Sequence, residues 1–354
     1  MKNFNAKKIL AAIAFLALAA FSCYWTAESL FIWQPSITRI GAWLIAVVFY
    51  VVASLCFGRF VKSLDPNAGF GEGFFKSRGG HLVFGLLGLI VFWLMFSLPT
   101  NTHTLLYRSS IRNVITTDLE RTDGYLKALK DNNASINAIN NKHEDLAKAV
   151  RDLCDKLITE MKHPDREGTG SRFNSIIKEL ENLLGVKFID GGNLQGAPLY
   201  DHYYRQAMQA LENDKADCDR KIAEIRSLMN SEKLNTLIER DRIEMKAIDD
   251  MSGVDNKTIN AAVEDLINDY AYIKTYSEYL TFKNDTEKDM YTREGAMPEA
   301  KAMLSVPDVW IDFITTDKYR GHGFIWWVML ALLVDLAAFI FFDIAAKSDN
   351  EFAY

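Results

Sequence analysis

Four stretches of this chain are apolar for long enough to cross a lipid bilayer, and their uneven placing constrains the fold more than any other feature. They lie at about 9–32, 41–57, 82–98 and 324–346. A hydrocarbon core of about 30 Å requires roughly 20 residues at a rise of 1.5 Å, so the second and third stretches need their flanks to reach across. Backbone N–H and C=O groups find no water inside lipid, so each stretch is expected to satisfy them internally as a helix. The expected fold is all-α. It is a polytopic membrane protein with three transmembrane helices in residues 1–100, an elongated helical extracytoplasmic domain in 101–322, and a fourth helix with a short tail in 323–354.

Lysine and arginine in short loops set the orientation. Lys2, Lys7 and Lys8 precede the first stretch, Arg59, Lys62, Lys76 and Arg78 separate the second from the third, and Lys347 follows the fourth. Arg39 stands alone between the first and second. This places both termini in the cytoplasm of a plasma (inner) membrane and residues 101–322 in the periplasm or outside the cell. Lys318 and Arg320, just before the fourth stretch, pull the other way. Trp33, Trp43, Trp93, Trp310, Trp326 and Trp327 are expected as interfacial anchors. The first apolar run continues past Cys23 to Trp33, too far for the short core of a cleaved leader.

Residues 101–322 hold 18 Lys and 13 Arg against 39 Asp and Glu, an acidic balance that argues against a nucleic-acid partner or a face lying on anionic lipid. Apolar residues recur there at steps of three and four. A helix is expected over about 134–163, striped by Ile136, Ile139, Leu146, Val150, Leu153 and Leu157 and stopped by Pro164. A short amphipathic helix follows at about 172–184, then an irregular connection rich in glycine. A second long helix starts near Asp201, with a heptad-like, coiled-coil seam of Tyr204, Met208, Leu211, Cys218, Ile222, Ile225 and Met229 flawed by Lys215. It either breaks at Asn230–Ser231 or runs on towards Ile248. The two long helices suggest an antiparallel hairpin. A helix over about 105–129 leaves the membrane beyond Pro99 and is expected to pack near the return segment 309–313. Another, at about 256–282, carries Tyr270, Tyr272, Tyr276 and Tyr279 as a core or interface stripe.

Cys154 and Cys218 sit on or beside the apolar stripes of the two long helices. An antiparallel crossing could bring their sulfurs together as a disulfide in an oxidising compartment, the alternative being two separate small buried side chains.

Asp335 is the sharpest single signal, because it lies near the middle of the fourth stretch among Leu333, Val334, Leu336 and Ala337. A carboxylate at that depth is costly, so it should face other helices or a wet cavity. Cys23, Tyr24, Tyr50 and Ser54 are the candidate partners by depth. One reading is a proton or cation relay; the other is a protonated carboxyl donating one interhelical hydrogen bond. Glu28 and Asp343 place two more acids nearer the two membrane faces. Phe70, Glu72, Phe74, Phe75, Lys76 and Arg78 form a cytoplasmic loop too aromatic for a plain linker, suited to near-membrane packing or to contact with a cytoplasmic partner. It lacks the G-K-[ST] of a phosphate loop.

The six histidines show no zinc-ligand spacing, so no metal and no cofactor is expected. The function expected is that of a non-enzymatic membrane protein whose extracytoplasmic helices bind a partner, sense a signal or scaffold an envelope assembly. Its partners would be the lipid bilayer and either another envelope protein or further copies of itself. An oligomeric ion or proton channel using Asp335 is the alternative.

Overall fold

The computed structural model describes residues 6–162, 170–316, 319 and 323–346. Lys2, Lys318, Arg320 and Lys347, together with the helix stop at Pro164, lie outside the described residues. The architecture is all-α, with four long apolar helices, three early and one late, flanking a large helical segment. An even number of crossings puts the residues before the first and after the last on the same side of the bilayer.

The first three crossings begin with α1 (Ala6–Trp33), α2 (Arg39–Leu64) and α3 (Arg78–Phe92), and the last is α13 (Phe324–Ala346). Thr38 opens α2 by accepting the Gly41 N–H on its hydroxyl, and Ser77 does the same for α3 with Gly80. Between them lie α4 (Leu98–Lys130), α5 (Asn133–Met161), α6 (Ser171–Leu184), α7 (Ala197–Met229), α8 (Glu232–Asp250), α9 (Asn256–Thr275), α10 (Asp285–Thr292), α11 (Glu299–Ala302) and α12 (Val306–Thr315). Two compact units divide the chain: Met1–Arg121, Asp241–Tyr270 and Arg293–Tyr354 form one, and Thr122–Arg240 and Ala271–Thr292 the other.

The third crossing does not stop at Pro99, where the chain was expected to leave the membrane helix. A π-helical turn, Trp93–Ser97, joins α3 to α4, and α4 continues through Pro99. Proline inside an α-helix lacks an N–H and crowds the carbonyl four residues back. A wider turn placed just ahead of it shifts that hydrogen-bond pattern, so the helix absorbs the residue without breaking.

In the first unit the membrane helices meet through small side chains. Ala42, Ala46 and Ala53 of α2 and Ala27 of α1 are buried, as are Ala338 and Phe339 of α13. Lipid provides no hydrophobic force to drive helices together, so close backbone approach and dispersion must do it. Gly85 of α3 shows how close: a Cβ there would stand 2.7 Å from the Phe60 nitrogen and 2.8 Å from the Cys56 oxygen. Above this bundle Leu106, Ile111 and Leu119 of α4 share a core with Ile259 and Leu266 of α9, and with Met303 and Val309. The expected packing of α4 near the return segment is therefore present, and the Trp310 indole donates to the Pro99 carbonyl at 3.3 Å. Trp33, Trp43 and Trp326 are exposed. Trp93, Trp310 and Trp327 instead pack against the buried clusters, so they are core residues as well as interface residues.

In the second unit α5 and α7 form the expected antiparallel pair. Ile136 packs with Ile222 and Ile225, while Leu157 packs with Leu199 and Tyr203. α7 ends at Met229 and α8 begins at Glu232, so the break at Asn230–Ser231 is real. In the first half of α7 the buried face is Leu199, Tyr203, Ala207 and Leu211, not the expected one through Tyr204, which is exposed. The reason is α6, whose Phe173 and Ile177 pack on that end of α7 and turn its apolar face by one residue. Gly185 closes α6 with φ 66°, a left-handed cap that costs glycine little.

Candidate functional site

Asp335 lies at the centre of a buried polar network built from three helices. Ser22, Thr26 and Ser29 follow one another at steps of four and three on α1, so they share one face. Ser97, Asn101 and Thr104 make the matching face of the π turn and α4, with Thr100 and His103 alongside. Every residue of this group is buried, Asp335 completely.

The Ser22 hydroxyl donates to Asp335 Oδ1 at 2.7 Å, and the Ser97 hydroxyl donates to Oδ2. The Asn101 amide N–H groups donate in turn to Ser22 Oγ at 2.9 Å and Ser97 Oγ at 3.0 Å. Thr26 donates to Asn101 Oδ1 at 2.8 Å, and Thr100, which donates to the Phe96 carbonyl at 2.7 Å, lies 3.1 Å from Thr26. The bonds of Thr26, Asn101, Ser22 and Ser97 run one after another to the carboxyl group of Asp335. Both carboxyl oxygens of Asp335 are thus engaged by serine hydroxyls from two helices. These bonds tie the helices of Ser22, Ser97–Asn101 and Asp335 together. Alongside them, His103 Nδ1 lies 2.8 Å from Ser29 Oγ and Nε2 lies 3.0 Å from the Met303 carbonyl.

Of the partners expected by depth, none bonds to Asp335. Cys23 and Tyr50 are in the neighbouring apolar cluster, and the Tyr50 hydroxyl has no hydrogen-bond partner among the described residues. Ser54 donates to its own helix at Tyr50 O, and Tyr24 takes a hydrogen bond from Arg108. The true partners were visible in principle as a period of three and four in small hydroxyl residues, a pattern overlooked because apolar stripes dominate these segments.

Glu28 belongs to a different place. It lies 3.8 Å from Arg108 and accepts from the Asn256 amide at 3.3 Å. Together with Tyr24, Arg39, Asp255, Lys257 and Glu264 it lines a cleft of about 680 Å³ at the end of α1. Asp255 caps α9 here, and the Thr258 hydroxyl and backbone N–H hold its carboxyl below the usual range. Arg39 rests on the Phe31 ring with 4.9 Å to its centre. Asp343 is half-buried on α13, two turns beyond Asp335.

The loop between α2 and α3 leaves Phe74 and Phe75 exposed at 59% and 68%. Phe75 stacks on Phe84, Phe70 meets the edge of His81 and lies under Lys62, and Arg78 donates to the Ser63 carbonyl at 2.7 Å. Gly71 N–H bonds to the Lys76 carbonyl at 3.2 Å and closes the loop, with Glu72 exposed at its tip. Two bare phenyl rings beside lysine and arginine suit the headgroup layer.

Cys154 and Cys218 are both free thiols, so the anticipated disulfide is not formed. Cys154 packs with Ala207, whereas Cys218 lies beside Asp214, which contacts His143. On both helices the offset is eleven residues, about 16 Å at 1.5 Å per residue, far beyond the reach of a disulfide. Burial pushes the Cys154 thiol up to about 11, and burial followed by the Asp214 charge raises Cys218.

The same register creates a cluster that no sequence spacing announced. His143 Nδ1 stands 2.7 Å from Asp214 Oδ2, and Cys218 Sγ stands 3.9 Å from that oxygen. The ligand atoms of all three lie within 4.8 Å of one another. His143 is 71 residues from Asp214, so only the folded hairpin unites them. Comparison with protein-family models, curated proteins and solved structures finds no match for the chain.

Proposed function

We propose that this is a non-enzymatic integral protein of the plasma membrane, with both termini cytoplasmic and its helical region outside, which binds an envelope partner through the charged cleft at the end of α1. The observation that carries this reading is the cleft itself. It sets Arg39, Arg108 and Lys257 beside Glu28, Asp255 and Glu264 over the rings of Tyr24 and Phe31. Exposed charge of both signs on a framework of buried helix suits a partner segment that also carries both signs. A second copy of this chain is one such partner; another envelope protein is the other.

The non-enzymatic reading is supported by the chemistry of the polar groups. Burial, followed by the Asp214 charge, raises the Cys218 thiol, the opposite of the lowered thiol of an activated nucleophile. Asp335 is fully enclosed with both oxygens engaged, so no substrate reaches it.

A photoactivatable cross-linking residue placed at Asn260 in native membranes tests the reading. The expected result is one discrete adduct, lost when Arg39 and Arg108 are both changed to Glu. Its mass distinguishes a second copy from a different protein. An adduct pattern indifferent to the two charge reversals, or none at all, would overturn it.

A further inference from the structure

The α5–α7 hairpin has apolar layers with one exception. Ile136 with Ile222 and Ile225 makes one layer, and Val150 and Cys154 with Ala207 make another. Between them the facing positions are His143 on α5 and Asp214 and Cys218 on α7. His143 is seven residues from both Ile136 and Val150, so it lies on the buried stripe. Asp214 and Cys218 lie three and seven residues beyond Leu211, and Cys218 is four before Ile222, again on the stripe. A helical seam that gives up its apolar residues at one layer loses stability there unless the polar groups acquire a role.

We propose that His143, Asp214 and Cys218 form a binding site for a divalent metal ion of the zinc class. The three donors are an imidazole nitrogen, a carboxylate oxygen and a sulfur, the set that a borderline ion such as zinc takes at about 2.0–2.3 Å. Donors around a tetrahedral zinc stand roughly 3.3–3.8 Å apart, and these three already lie within 4.8 Å, so rotamer adjustments on fixed helices suffice. His143 comes from one helix and the i, i+4 pair Asp214 and Cys218 from the other, so both arms of the hairpin are tied by one ion. Side-chain exposures of 14% for His143 and 39% for Asp214 leave the fourth position open to water. On binding, the Cys218 S–H gives its proton to solvent as the sulfur–metal bond forms. Lys215, Lys221, Asp219 and Glu144 are the charged neighbours. Lys215 is held by Asp219 at 2.7 Å. The site is built wholly from helices of the second unit, and the proposal does not depend on the cleft.

The bland alternative is a polar layer that only fixes the register of the two helices. Purified full-length protein, stripped by a chelator, separates the two. Zinc is titrated against a chromophoric competitor, and cobalt is followed by absorption. One zinc per chain is expected. Cobalt should give visible bands of tetrahedral strength and a near-ultraviolet sulfur-to-cobalt band. Cys218→Ser should remove the sulfur band, and Cys154→Ser should leave it. His143→Ala and Asp214→Asn should each weaken zinc by more than the roughly 10- to 100-fold that loss of an outer-shell partner costs. Should Cys218→Ser fold poorly, Cys218→His keeps a ligand: zinc binding should persist without the sulfur band. Equal zinc uptake by wild type and a His143→Ala, Asp214→Asn, Cys218→Ser triple variant would overturn the proposal. So would a sulfur band that survives loss of Cys218, or no uptake by the wild type.

Discussion

The polar cluster around Asp335 and the one around His143 are opposites. Around Asp335 both carboxyl oxygens are bonded to serine hydroxyls, and the group is completely enclosed. Around His143 the side chains remain partly exposed, and His143 and Cys218 both meet the same Asp214 oxygen. The contrast teaches that polarity in a core has two meanings. A cluster whose groups are enclosed and bonded to one another across helices behaves as a fastening. An unsaturated one still has lone pairs to give, and it is the one that invites a ligand.

The largest test of that contrast falls on the fastening. Asp335→Leu strands the Ser22 and Ser97 hydroxyls, and an unpaired buried polar group costs about 1–3 kcal/mol, so the loss for two should reach roughly 2–6 kcal/mol. Thermal unfolding in detergent should show a collapse of stability, with Asp335→Asn intermediate because its amide oxygen still accepts. Full stability in Asp335→Leu would break the comparison from this side. Gly85→Val comes next. Its side chain would strike the α2 backbone, and overpacking of this kind costs about 1–3 kcal/mol. The expected readout is a lowered unfolding temperature with α2 and α3 spread apart by distance measurement between spin labels.

The open cluster should answer in the opposite direction. Replacing His143 and Asp214 together with Leu exchanges polar groups for packing area. In metal-free protein this should be neutral or stabilising by about 1 kcal/mol, as measured by denaturant midpoint. A large loss would show that the layer is as saturated as the one around Asp335. The smallest effect is chemical. With its thiol pushed up to about 11 by burial, Cys154 stays protonated and slow to alkylate at pH 8 in folded protein, and it gains reactivity only as pH approaches that value. Non-reducing electrophoresis after trapping should show no bond between Cys154 and Cys218. Fast labelling at pH 8 would mean that the layer around Cys154 opens.

The four crossings were legible because bilayer thickness imposes a length that composition cannot hide; 324–346 was read to the residue. The stripe of α5 was equally plain. Other features depended on neighbours that a linear reading does not contain. Tyr204 was expected inward, but the pressure of α6 turns Tyr203 inward instead. The disulfide reading had the hairpin right and its register wrong, since two residues on facing stripes meet only when their positions along the helices match. Asp335 was found by its cost alone, while Ser22, Ser97 and Asn101 went unread. Hydroxyls and amides are cheap enough in a membrane helix to pass unnoticed until a carboxylate reveals why they are there. His143 carries no metal-ligand spacing along the chain, because Asp214 and Cys218 reach it only across the hairpin.

The widened turn at Trp93–Ser97 accommodates one residue more than a regular helix would. Each residue advances a helix by about 100°. Removing a single residue there would rotate all of α4 relative to α3, swinging Asn101 away from Ser22 and Leu106 and Ile111 out of their core at a stroke. A local irregularity thus acts as the phase-setter of the molecule, aligning the greasy half of one continuous rod with the watery half to which it is joined.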